Sequence, residues 1–93
     1  MNRMTQVTDN TSAGRYELIE ADHVSYADYR LQGDRLIIDY VFAPPELRGT
    51  GAAGRLMEGV VADVRSRNLK ITPLCGYAVA WLKRHSEAAD LLT

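Results

Sequence analysis

The feature that most constrains this chain is the segment Pro44-Pro45-Glu46-Leu47-Arg48-Gly49-Thr50-Gly51-Ala52-Ala53-Gly54, set between an apolar stretch and an amphipathic one. The two prolines end any strand before them, because neither can donate to a ladder. After them, three glycines and two alanines leave the backbone bare where a helical period begins. Leu56, Met57, Val60, Val61 and Val64 then recur at helical spacing, which predicts a helix from Gly51 to Arg67 with one buried stripe. A second short apolar run, Lys70 to Leu74, follows that helix. Strand, helix and strand in this order make a crossover unit with two parallel strands. The start of such a helix has unpaired N–H groups and a partial positive charge, so it suits an anion. Side chains larger than methyl would hold a diphosphate away from those amides. The segment therefore reads as a phosphate cradle.

Two phosphate motifs compete for it. Gly49-x-Gly51-x-x-Gly54 satisfies the dinucleotide fingerprint formally, but that motif needs a tight strand-to-helix turn and an acidic residue about twenty positions on. In this chain residues 44–48 separate the strand from the glycines, and no acidic residue lies between Asp63 and Glu87. A P-loop requires a Lys-Ser/Thr pair after its glycines, and none is present.

The rest of the chain is organised around this unit. Residues 1–14 are polar with no hydrophobic period, which predicts a flexible tail, leaving residues 15–93 as one domain. Strand character runs through Tyr16-Glu17-Leu18-Ile19 and again through residues 23–31, where Ala27, Tyr29 and Leu31 alternate with Asp28 and Arg30. Gln32-Gly33-Asp34-Arg35 reads as a hairpin turn. Leu36 to Phe42 is apolar enough for a central strand covered on both faces. Asn68 suits a left-handed helix stop, and a last helix is expected from Tyr77 through His85 toward Leu92. The predicted fold class is α/β: a small mixed sheet in the order β-β-β-α-β-α, with a crossover helix and a C-terminal helix.

Composition sets limits on function. The 93 residues make one domain, and no apolar run approaches a membrane span. The polar start carries no signal-peptide core, and one cysteine cannot close an internal disulfide, so a cytoplasmic location is expected. The net charge of −1 excludes the dense basic patch of a nucleic-acid binder. Two separated histidines and that single cysteine argue against a metal site. Charge is nonetheless uneven. Residues 16–42 are acidic, whereas Arg48, Arg55, Arg65, Arg67 and Lys70 outweigh Glu58 and Asp63 around the helix. A basic stretch beside the glycines suits a polyanionic cofactor, and the acidic half would draw in a cationic acceptor.

Arg48-x-x-Gly51-x-Ala53, after a strand and opening a helix, resembles the acetyl-CoA signature of the GNAT superfamily of N-acetyltransferases. The chain is similar in particular to its very short GNAT-like subfamily. The matching segments are Ala43-Pro44-Pro45-Glu46-Leu47-Arg48-Gly49-Thr50-Gly51, then Pro73-Leu74-Cys75-Gly76-Tyr77, then Trp81-Leu82-Lys83-Arg84-His85. The resemblance implies a truncated GNAT fold without the helices that help build the acceptor pocket. It implies acetyl-CoA as co-substrate and an amine as acceptor, at a site left open or completed by another chain, such as a homodimer partner. It places the CoA diphosphate on Arg48, Gly49, Thr50, Gly51, Ala52, Ala53 and Gly54. The pantetheine arm is expected beside Phe42 and Ala43; Lys83 and Arg84 are candidates for the ribose phosphate, with a solvated helix end as the equal alternative.

Three residues are candidates for catalysis. Cys75 precedes a helix start, where a thiolate is favoured, and the resemblance puts it near the thioester end as an acyl-accepting nucleophile. A buried, inert thiol is the competing reading. Tyr77 matches the tyrosine that superfamily members use as general acid for the departing thiol, with simple packing as the alternative. Tyr40 stands where many short relatives carry a histidine, and a phenol is a poor base at neutral pH. Asp39 could serve instead only if it faced the cofactor, since strand alternation sends neighbouring side chains to opposite faces. His85 is read as a helix-end cap or a cofactor-edge contact, and His23 is given no role. The rival to an acetyltransferase is a CoA- or acyl-CoA-binding module without catalysis, acting as a sensor or interaction subunit.

Overall fold

The computed structural model describes residues 7–93. Five strands form one sheet in the order of the chain: β1 (Thr8–Asn10), β2 (Arg15–Glu20), β3 (His23–Gln32), β4 (Arg35–Phe42) and β5 (Lys70–Pro73). The first four pair antiparallel, whereas β4 and β5 pair parallel through the crossover helix α1 (Ala52–Ser66). A second helix, α2 (Gly76–Arg84), and a 3-10 segment (Ser86–Leu91) complete the chain.

The hairpins follow their turn residues. Ala21 and Asp22 take positive φ (51° and 65°) between β2 and β3, while Gly33 (φ 63°) opens the two-residue loop closed by the Gln32–Arg35 pair. Asn68 ends the first helix at φ 58°, as its side chain allows.

The core lies between one face of the sheet and the helices. Tyr16, Leu18, Ala27, Tyr29, Leu36, Ile38 and Ile71 alternate onto that face, and Leu56, Met57, Val60 and Val64 meet them from α1. Trp81, Leu82, Ala88 and Leu91 join the same cluster, so both helical segments lie side by side on one layer.

Three expectations need correction. The polar stretch at the start is not a tail throughout: Thr8–Asn10 forms an edge strand on β2, with Tyr29 Oη donating to Asp9 Oδ1 at 2.6 Å, while residues 1–6 lie outside the described residues. The element order therefore gains a leading strand. The last helix stops at Arg84, because His85 leaves helical geometry (φ −111°, ψ 83°), and the chain returns to β5 through Thr93 N donating to Ile71 O at 3.0 Å. Finally, β4 has buried side chains on both faces only at residues 36–38, with no element laid over the second face among the described residues; beyond Ile38, Tyr40 is half exposed.

Candidate functional site

The sheet opens where β4 outlives β5. The parallel ladder runs from Arg35↔Lys70 to Ile38↔Pro73, and Leu74 N donates the last bond to Ile38 O at 2.9 Å. Pro73 and the turn into α2 then carry β5 away, leaving residues 39–42 of β4 without a neighbour on that side among the described residues. At the same level the pairing with β3 slips: Asp28 faces Tyr40 but Tyr29 faces Ile38, so Asp39 is an extra, bulged residue. A bulge bends its strand and increases its twist, which turns the β4 end away from β5. The result is an unpaired strand edge leading to the proline–glycine turn.

That turn presents bare backbone. A 3-10 turn at Pro45–Leu47 uses the amides of Leu47 and Arg48, and Thr50 N donates to Leu47 O at 3.1 Å. Gly49 and Gly51 then take positive φ (84° and 89°), where side-chain-bearing residues are strained. Gly51 caps α1 without a side-chain bond, and no acidic residue lies in the first turn. Among the described residues, the amides of Gly49, Gly51, Ala52, Ala53 and Gly54 donate to no protein acceptor. They gather at the positive end of a fifteen-residue helix, which attracts an anion. Arg55 holds the turn from behind: its guanidinium takes both Glu20 carboxylate oxygens at 2.8 and 2.9 Å and donates to Thr50 O at 3.0 Å.

A cleft of about 360 Å³ joins the two features. It is lined by Tyr40, Val41, Phe42 and Ala43 from β4 and its exit, by Leu47, Arg48, Gly49, Gly51, Ala52, Ala53 and Gly54 from the turn, and by Tyr77 of α2. Gly54 lies where a Cβ would stand 3.5 Å from Trp81 Nε1 and 3.9 Å from Tyr77 Oη, so the phenol reaches the start of α1. Arg48 Nε donates to Ala43 O at 2.9 Å and its guanidinium lies 5.8 Å from the Phe42 ring centre, which fixes a cation at the mouth. The donor set suits a diphosphate, and the open β4 edge suits an extended, amide-bearing arm.

Other expected residues fall outside this lining. Cys75 caps α2 and packs partly buried against the core, as a free thiol. Thr50 is exposed, and its hydroxyl donates back to Leu47 O at 2.6 Å. Lys83 and Arg84 occupy the last turn of α2, with Arg84 close enough to Tyr77 to act on its charge. Asp39 is held by Arg30 through two bonds of 2.8 Å, which keeps its carboxyl below the usual range. It is thereby a weak base. Burial pushes the Tyr77 phenol up, against a smaller opposing effect of Arg84, so it stays protonated at neutral pH. His85 stacks on Trp81 with ring centres 3.7 Å apart, and its Nδ1 lies 2.7 Å from Trp81 O, the helix-end role expected of it.

Sequence reasoning missed several contributors. The Arg55–Glu20 clamp joins residues far apart in the chain, so no local motif could signal it. Val41 and Leu47 gave no signal, because apolar side chains that wall a cleft look in sequence like those that fill a core. The bulge at Asp39 carries no glycine or other marker.

A mixed sheet with a parallel crossover, a bare helix N-terminus and an open strand edge defines a mixed α/β protein with a cleft at the end of β4. The family model described as GCN5-related N-acetyl-transferase matches residues 15–91, and the chain belongs to that family of acyltransferases. The fold is that of a GCN5-like N-acetyltransferase candidate from Staphylococcus aureus, whose solution structure superposes with a TM-score of 0.75 at 21% identity, over 99% of this chain and 91% of that one. No match is found among curated proteins.

Proposed function

We propose that this chain binds acetyl-CoA in the cleft and transfers its acetyl group to an amine. One observation carries the reading: the unpartnered amides of Gly49, Gly51, Ala52, Ala53 and Gly54 at an uncapped helix start, directly beside an unpaired strand edge. The amides take the diphosphate, with Arg48 adding charge at the mouth. The free edge at Phe42 and Ala43 pairs with the amides of the pantetheine arm, as a missing strand would. When bound, the co-substrate supplies an activated thioester, and much of the rate gain comes from aligning it with the incoming nitrogen. Tyr77, protonated and facing the start of α1, gives its proton to the departing sulfur. The new C–N bond forms as the C–S bond breaks, and the nitrogen's surplus proton leaves through water, returning one to Tyr77. Direct transfer is favoured over a covalent step because Cys75 packs against the core rather than lining the cleft. A single free thiol is compatible with the cytoplasm, the compartment we assign.

Calorimetric titration with acetyl-CoA tests the reading, followed by intact mass and by amine-dependent CoA release in the same sample. One-to-one binding, unchanged mass and release that rises with amine are expected. A gain of one acetyl group would return Cys75 to the mechanism. Binding with no amine response would favour the non-catalytic module, and no binding at all would remove the proposal.

A further inference from the structure

The face of the sheet opposite the helices carries no covering element among the described residues. Alternation against the buried residues of β2, β3 and β4 places Arg15, Glu17, Tyr26, Asp28, Tyr40 and Phe42 on it. Tyr26 stacks on Phe42 with ring centres 5.1 Å apart and stands 6.5 Å from Tyr40. This aromatic group already faces two cations of the chain itself, since the Arg15 guanidinium lies 4.5 Å above Tyr26 and that of Arg48 lies 5.8 Å from Phe42. Its third ring is available: Tyr40 is 50% exposed, and it also lines the cleft. An exposed aromatic face attracts a cation, and more strongly when water is excluded.

The carboxylates around it are not equivalent. Glu17 accepts from Arg15 at 2.7 Å and from Asn10 at 3.1 Å, and Asp39 is occupied by Arg30. Asp28, directly across the strands from Tyr40, accepts no hydrogen bond and makes no ion pair among the described residues. Arg15 lies across from it on β2 and bonds Glu17 through Nε, while the Arg15 charge is also felt by Asp28, so one guanidinium serves two carboxylates. A half-buried carboxylate that makes no hydrogen bond or ion pair among the described residues, next to an open ring at the cleft edge, is complementary to an organic cation.

We propose that Asp28 and Tyr40 form an acceptor subsite that holds an alkylammonium group of the substrate, distinct from the nitrogen to be acetylated. The preferred acceptor is thus a molecule with a second aliphatic cation beside its reactive amine. The subsite rests on the acetyl-transfer reading, because Tyr40 is what joins it to the cleft.

Two-dimensional NMR of the CoA-saturated protein, titrated with butylammonium and with 1-butanol, tests it. Butylammonium is expected to shift the amides of Asp28 and Tyr40, and the neutral alcohol to leave them in place. Asp28→Asn, which loses no hydrogen bond of the fold, is expected to weaken the ammonium response about fivefold. Calorimetry with acetyl-CoA should give the same affinity for both proteins. Equal shifts from the alcohol, or an unchanged response in Asp28→Asn, would overturn the subsite while leaving acetyl-CoA binding intact. Failure of acetyl-CoA to bind wild-type protein would sink the transfer reading and, with it, the part this subsite plays in holding the acceptor.

Discussion

At its C-terminal end α1 is tied into the sheet by charge. Arg67 reaches Asp9 at 3.0 Å and Asp63 at 3.1 Å, and Tyr16 Oη donates to Asp63 at 2.6 Å. Arg65 adds a pair with Asp90 of the 3-10 segment, at 2.9 Å. At the N-terminal end the same helix begins at a glycine with no side-chain cap and with amides that, among the described residues, no protein group accepts from. The comparison shows how one element serves two purposes: the closed end fixes the helix on β1 and β2, which lets the other end remain open to a ligand. The Asp63–Arg67 pair illustrates the point. Helical spacing alone places it on an outer, solvated face, whereas in the fold it bridges helix, edge strand and the Tyr16 phenol.

Variants at the two ends should separate binding and chemistry from stability. Tyr77→Phe removes the proton donor beside the open end and should lower kcat roughly 10²–10³-fold with little change in acetyl-CoA affinity. Stopped-time CoA release together with calorimetry checks this, and an unchanged kcat would discard Tyr77 as the acid. Gly54→Val sets methyl groups where a diphosphate must approach the amides. Losing two charge-assisted hydrogen bonds at about 1.5 kcal/mol each should raise the acetyl-CoA Kd roughly 10²-fold, while the added methyls against Trp81 lower Tm as well. At the closed end, Arg67→Ala should leave that Kd unchanged. It should cost about 1–2 kcal/mol of stability, allowing for solvent screening of a side chain that is 37% exposed. Denaturant melts would show it, and a shift in Kd instead would break the division of roles.

The smallest effect is one of pH. Burial and the Asp9 hydrogen bond push the Tyr29 phenol up to about 12, and burial with the Asp63 bond raises Tyr16 further. A phenol whose folded pKa exceeds its unfolded value near 10 contributes its full stability below pH 10. That contribution is lost as pH rises from 10 through 12. Absorbance at 295 nm should therefore show tyrosines that resist ionisation at pH 10–11 and then titrate as the protein unfolds. Asp9→Asn should bring part of that signal down toward pH 10.

Much of the fold is legible in the sequence because its signals are local. Gly33 marks the hairpin, Asn68 the helix stop, the Leu56–Met57–Val60–Val64 spacing the buried stripe, and Pro44-Pro45 the strand end. Each of these follows from backbone sterics or from period. The start of the chain is harder to read. Thr8–Asn10 is polar because an edge strand is half wet, and it is held by hydrogen bonds to Glu17 and Tyr29 that no window of sequence contains.

The cradle belongs to the sequence as well. Small residues from 49 to 54, with left-handed glycines at 49 and 51, follow from steric requirements that a chain states directly. Tertiary structure decided which side chains meet there. Tyr40 and Tyr77 come together at the cleft from elements far apart in the chain, Asp39 is taken by Arg30, and Cys75 turns to the core. The bulge at Asp39 and the early end of β5 set these directions. Both depend on how strands pair across long loops, so residue order alone could not express them.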